Sequence, residues 1–124
     1  MLGVVRLQLD EPEDGAVDIA LRDQARPERI VELFEILNHR GIRIPWTCMS
    51  RINTVDFEIL RFMKEQGCWH ISFGIESGNA DILKRIRKNI SLTDAEKVLG
   101  WCRRLGIRTK GFFIIGHPGE TQDT

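Results

Sequence analysis

The chain has no surplus of either charge. Its 18 lysines and arginines balance its 18 aspartates and glutamates, for a formal net charge of zero. That excludes the basic footprint of a protein built to hold nucleic acid or an anionic membrane surface. No apolar run approaches the roughly 20 residues that span a bilayer, and the N-terminus lacks a basic segment followed by an apolar one. A cytoplasmic protein is expected. Cysteine is scarce, with Cys48, Cys68 and Cys102 far apart. Such spacing is neither a disulfide framework nor a compact metal site, so each is expected to be a small core residue. No two of His39, His70 and His117 have metal-ligand spacing. A phosphate-cradling glycine loop and a nucleophile elbow are also missing.

What the 124 residues do contain is a repeated helix–glycine–strand unit, enough for one domain with a modest core. Glu32 to Arg40 leads through Gly41 into Ile42 to Cys48. Glu58 to Gln66 leads through Gly67 into Cys68 to Ile75, and Ala95 to Leu105 leads through Gly106 into Ile107 to Ile115. The glycines fall where helices stop, and basic residues occupy the last turns, as the helix dipole favours. Ile30, Leu33, Phe34 and Leu37 share one helical face, as do Val55, Ile59, Leu60 and Met63. Pro27 suits a first helical turn. Asn53 or Thr54 is expected to cap the second helix, and Thr93 with Glu96 to form a capping box for the last. A shorter helix is expected over Ala80 to Ile86. Trp46, Trp69 and Trp101 are expected in the core or at its edge.

An earlier strand, Val17 to Leu21, precedes the first helix. Strands joined by helices run parallel with right-handed crossovers, so four strands predict an α/β fold with a parallel sheet of βα units. Residues 1–16 differ: an apolar-rich run, Leu2 to Leu9, then an acidic turn, Asp10 to Gly15, read as a strand and hairpin or a loosely ordered lead. The chain stops at Thr124 where another helix should begin, and is expected to be cut at both ends.

Two strand ends carry the chemistry. Ile71 to Ile75 runs into Glu76, Ser77 and Gly78. A carboxylate there can accept hydrogen bonds from vicinal sugar hydroxyls or an ammonium group, with Ser77 beside it. Equally, Glu76 can cap the next helix or pair with Arg51 or Lys88. Phe112 to Ile115 runs into Gly116, His117, Pro118, Gly119 and Glu120. Pro118 and Gly119 predict a type II turn, and the open backbone of Ile115 and Gly116 suits a base edge such as adenine. An ordinary strand-to-helix turn fits as well. Arg51 and Lys88 either face this mouth or are solvated.

Together, these segments resemble a radical S-adenosylmethionine (SAM) enzyme, of the subgroup that often carries a cobalamin-binding domain upstream. The resemblance rests on Ile44 to Ile52, Leu60 to Cys68, Gly74 to Gly78 and Gly111 to Thr121, and covers about residues 17–124. It implies part of a (βα)6 partial TIM-type barrel. In such enzymes a 4Fe-4S cluster binds SAM and reductively cleaves it to a 5′-deoxyadenosyl radical that abstracts hydrogen from a substrate. By resemblance, Glu76 and Ser77 meet the polar parts of SAM, Lys88 faces its carboxylate, and Ile115 and Gly116 lie beside its adenine. Cobalamin is implied for a parent protein of that subgroup.

The cluster-binding CxxxCxxC loop of the family has no counterpart here, and the acidic stretch after the second strand is reduced to Asp23 within Leu21 to Ala25. The expectation is therefore a central barrel fragment, inactive alone, with no metal site of its own. A non-catalytic α/β module that binds a partner, or self-associates through exposed sheet edges, is the alternative. A third reading makes Glu76 the general acid or base of another barrel enzyme.

Overall fold

The computed structural model describes residues 3–8, 16–21 and 27–124, with side chains from residue 28 onward. The acidic turn at Asp10–Gly15 and the segment Arg22–Ala25 lie outside the described residues.

The element order is β1 (Gly3–Gln8), β2 (Ala16–Leu21), α1 (Pro27–His39), β3 (Trp46–Ser50), α2 (Phe57–Glu65), β4 (Cys68–Glu76), α3 (Ala80–Arg85), α4 (Leu92–Leu105) and β5 (Arg108–Phe113). The strands form one sheet in the order β2-β1-β3-β4-β5. β3, β4 and β5 run parallel, each joined to the next through helices, as the βα repeat predicts. The strand expected at Val17 to Leu21 is present, but it does not extend the parallel set. It pairs antiparallel with β1, and β1 pairs antiparallel with β3. The link between β1 and β2, residues 9–15, is too short for the crossover of a dozen or more residues that a parallel pair requires.

The core lies between one face of the sheet and helices α1, α2 and α4. Trp46, Cys48, Cys68, Ile71, Phe73 and Ile75 meet Phe34, Leu60, Met63, Val98 and Cys102 there. Trp46 is fully buried, stacks on Phe34 at 4.8 Å, and donates its indole N–H to the Gln66 carbonyl at 2.9 Å. Trp69, one residue into β4, points away from this core and is 37% exposed, against expectation. Gly67 enters β4 at φ +95, and a Cβ there would lie 2.8 Å from the Ile44 carbonyl oxygen, so only glycine fits.

The expected third strand begins later than Ile42. Pro45 has no N–H for a ladder, and pairing starts at Trp46 and runs on to Ser50. The caps also differ from expectation. Asn53 and Thr54 fall in a single 3-10 turn, Ile52–Thr54, and Asp56 caps α2 by accepting from Ile59 N at 2.8 Å. Ser91, not Thr93, caps α4: its Oγ accepts from Asp94 N at 3.0 Å and bonds Asp94 Oδ2 at 2.7 Å. A cap needs extended backbone, which Ser91 has at φ −101, ψ 152, whereas Thr93 is already helical.

All three cysteines are buried and free. A hydrogen bond with Cys68, then burial, pushes the Cys48 thiol up. Burial, then the neighbouring Cys68, pushes Cys102 from 9.0 to about 11. The unfolded chain therefore sheds these protons at lower pH than the folded one. The Cys102 contribution to stability is complete below pH 9.0 and is lost as pH rises to about 11. Unfolding free energies from urea titration under reducing conditions should fall across this window, by up to about 1.4 kcal/mol per pH unit for that thiol. The fall should be shallower in Cys102→Ala; equal slopes would refute the assignment.

Candidate functional site

The parallel strands deliver their carboxyl ends to one rim. β4 lies between β3 and β5, and its ladder with β5 slips register between Gly74 and Glu76. At the slip, Glu76 takes φ +76, a left-handed conformation that costs a non-glycine residue about 1–2 kcal/mol. The Glu76 carbonyl accepts from Ile114 N at 2.9 Å, which clamps the two strand ends together.

The Glu76 carboxylate accepts a hydrogen bond from Lys88 Nζ at 3.0 Å, and the two side chains are only 13% and 9% exposed. Lys88 reaches it because Arg87 also turns left-handed, at φ 54, after α3. The two described non-glycine residues with positive φ therefore bracket α3 and close the pair. Of the partners open to Glu76, the structure selects Lys88. The α3 cap is instead Asn79, whose Oδ1 accepts from Asp81 N at 2.9 Å and Ile82 N at 3.1 Å. Ser77 is buried, and its Oγ accepts from Asn79 N at 3.1 Å, leaving its own proton to donate.

At the end of β5, the expected type II turn forms. Gly119 sits at φ +88 and Glu120 N donates to the His117 carbonyl at 3.0 Å. A Cβ on Gly119 would lie 1.9 Å from a terminal nitrogen of Arg85, so the turn presses directly on α3. Glu120 reaches back, and its Oε2 accepts from Gly116 N and from His117 N, the latter at 3.1 Å. The Gly116 N–H, expected to be open to a base edge, is thus already engaged. Ile115 is 95% exposed.

Glu76, Ser77, Lys88, Ile115 and Gly116 all lie at this one rim. Sequence reasoning missed the Glu120 clamp and the Asn79 cap, although an asparagine just before Ala80 is a legible N-cap signal. Of the two places left open for Arg51, facing the mouth or solvated, its buried Nε excludes full solvation. Among the described residues, Arg51 Nε and His117 Nε2 are the buried side-chain nitrogens with no hydrogen-bond partner.

The rim's polar groups, a carboxylate, a hydroxyl and two orphaned buried nitrogens, suit a polar organic ligand. They do not fit an iron–sulfur cluster. Cys48, Cys68 and Cys102 are spent in the core, and no group of three metal-ligating side chains occurs among the described residues. A groove of about 650 Å³ lined by Leu99, Arg103, Ile107 and Thr109 lies between α4 and the start of β5. It is at the amino ends of the strands, the wrong end of a parallel sheet for a ligand.

Replacing Lys88 with Met would leave Glu76 buried without a partner, at a cost of about 3 kcal/mol. Urea unfolding should show this loss, and Glu76→Gln with Lys88→Met should recover part of it. A loss below about 1 kcal/mol would mean that the pair is screened like a surface bridge.

The radical SAM superfamily profile matches residues 5–124. An uncharacterized methyltransferase of Pyrococcus horikoshii is 34% identical over 96 residues, 77% of this chain and 21% of that protein. The cytidylyl-2-hydroxyethylphosphonate methyltransferase of Streptomyces wedmorensis is 36% identical over 90 residues, 70% of this chain and 16% of its own length. The ribosomal protein uS12 methylthiotransferase of Bacteroides thetaiotaomicron is 26% identical over 104 residues, 82% and 24% of the two chains. This chain thus spans a quarter or less of each of these relatives. With three parallel βα-connected strands and a polar rim at their carboxyl ends, the chain belongs to the radical SAM superfamily.

Proposed function

We propose that this rim is the SAM-binding edge of a radical SAM methyltransferase-type barrel. The observation that carries the reading is the convergence of Glu76 and the Gly116 bend, joined through the Ile114 N–H. Glu76 accepts hydrogen bonds from the ribose hydroxyls, and Lys88 fixes its carboxylate for that purpose while lying close to the ligand's charged end. Ser77 donates its remaining proton. Ile115 offers an apolar side chain and Gly116 its carbonyl to the adenine. Bound SAM supplies, with a reduced cluster, the radical chemistry of the family. Because the described residues hold no cluster site, we propose that this chain alone performs no turnover and that cluster, substrate and any cobalamin site belong to the whole protein. The free, buried thiols suit a reducing cytoplasm. Among the described residues no helix is long and apolar enough to cross a membrane.

One observation favours a second reading, a partner-binding module. β5 is exposed along its whole length, with Phe113 58% exposed, and Ile114 just past its end is 53% exposed. An open apolar edge invites pairing with another chain, so this reading predicts a concentration-dependent dimer in sedimentation velocity. A monomer at all concentrations excludes it.

Titration with 5′-methylthioadenosine tests the first reading without a cluster. The chain should bind it, and Glu76→Gln should bind it roughly tenfold more weakly, because a charge-assisted hydrogen bond is lost. Equal affinity in the two proteins, or no binding to either, would sink the assignment.

A further inference from the structure

The sheet face turned away from the helices gathers charge of one sign. Gly111 tells the two sides of β5 apart: a Cβ there would lie 3.3 Å from Ile75 Cδ1, on the core side. Alternation then sends Arg108, Lys110 and Phe112 to the other side. Lys110 Nζ lies over the Phe112 ring, 5.1 Å from its centroid, as two residues on one face would. The ladder sets Arg108 beside His70 and Lys110 beside Ser72. From β3, Thr47 stands beside His70 and Met49 beside Ser72, and neither carries charge.

The two cations are not offset. Among the described residues neither takes part in an ion pair. Burial, then Arg108, then Lys110, holds the partly buried His70 below its ordinary pKa of 6.5, so the imidazole is neutral at pH 7. Like charges side by side on one sheet face repel, and an anion between them would relieve the repulsion. Glu76 does not supply it. Its carboxylate is matched by Lys88, and it lies four residues beyond Ser72 on β4, about 13 Å along the strand. Phe112 is 37% exposed and offers a flat apolar surface next to the charges.

We infer that this face, below the rim, is the chain's share of the substrate site, and that Lys110 and Arg108 select a substrate bearing a phosphate- or phosphonate-type dianion. Two cations match a dianion, whereas a carboxylate would leave one unmatched. The Arg108 fork can engage two oxygens, Lys110 acts as a point charge, and neutral His70 donates its one N–H. Phe112 receives the apolar body of the substrate. This assignment rests on the SAM-binding reading above and goes beyond it by naming the substrate class. The offset of about 13 Å from Glu76 keeps the oxyanion clear of the rim.

The test is NMR titration of the full chain with three probes: phenyl phosphate, benzoate and benzyl alcohol. Phenyl phosphate should bind saturably, move the His70 and Lys110 signals, and raise the His70 pKa, because a bound anion favours the imidazolium. Lys110→Gln should weaken it roughly tenfold and Lys110→Arg should restore it, with 5′-methylthioadenosine affinity unchanged in both. Lys110 is exposed, so neither substitution should disturb folding. Benzoate should bind more weakly; parity with phenyl phosphate would refute a dianion site. If benzyl alcohol binds as well as phenyl phosphate, or Lys110→Gln changes nothing, the two cations merely guard an edge strand against pairing, and the oxyanion site is refuted. Binding of 5′-methylthioadenosine without phenyl phosphate refutes this site and leaves the rim standing. Binding of phenyl phosphate without 5′-methylthioadenosine upholds an oxyanion site but removes the rim, and with it the assignment to a radical SAM substrate.

Discussion

The contact between Glu76 and Lys88 is the interaction on which the rest of the rim depends. It joins the tip of the central strand to the segment after α3, across a helix too short to hold its own place. Through it α3 is fixed, and on α3 rests the turn that ends β5, with Gly119 against Arg85. Two adjacent strand ends, one short helix and one turn thus form a single braced unit. Its hydrogen bonds join side chains and backbone, Lys88 to Glu76, Ile114 N to the Glu76 carbonyl and Gly116 N to Glu120, while Ile82 and Leu83 bury the apolar side of α3.

The core beneath supplies rigidity of another kind. β4 is hydrogen-bonded on both sides, and Ile71, Phe73 and Ile75 are sunk in the helix-packed layer. A strand so anchored brings its last residue out at a fixed height above its neighbours. Among the described residues, Met49 and Phe112 stand partly exposed on the opposite face.

Much of this could be read from residue order. Apolar spacing marked the helices, glycines marked their ends, and the pairing of a strand with a following polar tip marked the rim. Those signals are periodic or strongly local, and physics enforces them wherever they occur. The rest turned on single torsions or on competition between equal partners. Ser91 caps α4 because it alone is extended there, which residue type does not reveal. Glu76 had Arg51 and Lys88 as candidate partners, and only the left turn at Arg87 decides between them. The antiparallel seating of β2 depended on a short link whose length was visible but whose strand, β1, was read only as one of two options. Trp69 lies at the start of β4, where alternation sends it out of the core; its size alone suggested burial.

The left-handed backbone at Glu76 has an evolutionary corollary. Glycine would relax that torsion, and asparagine would adopt it at less cost than glutamate. Selection for a sturdier fold alone would thus drift away from an acid at this position, and stabilising screens that ignore ligand binding should be drawn to it. On the proposed reading, a carboxylate there trades durability for chemistry.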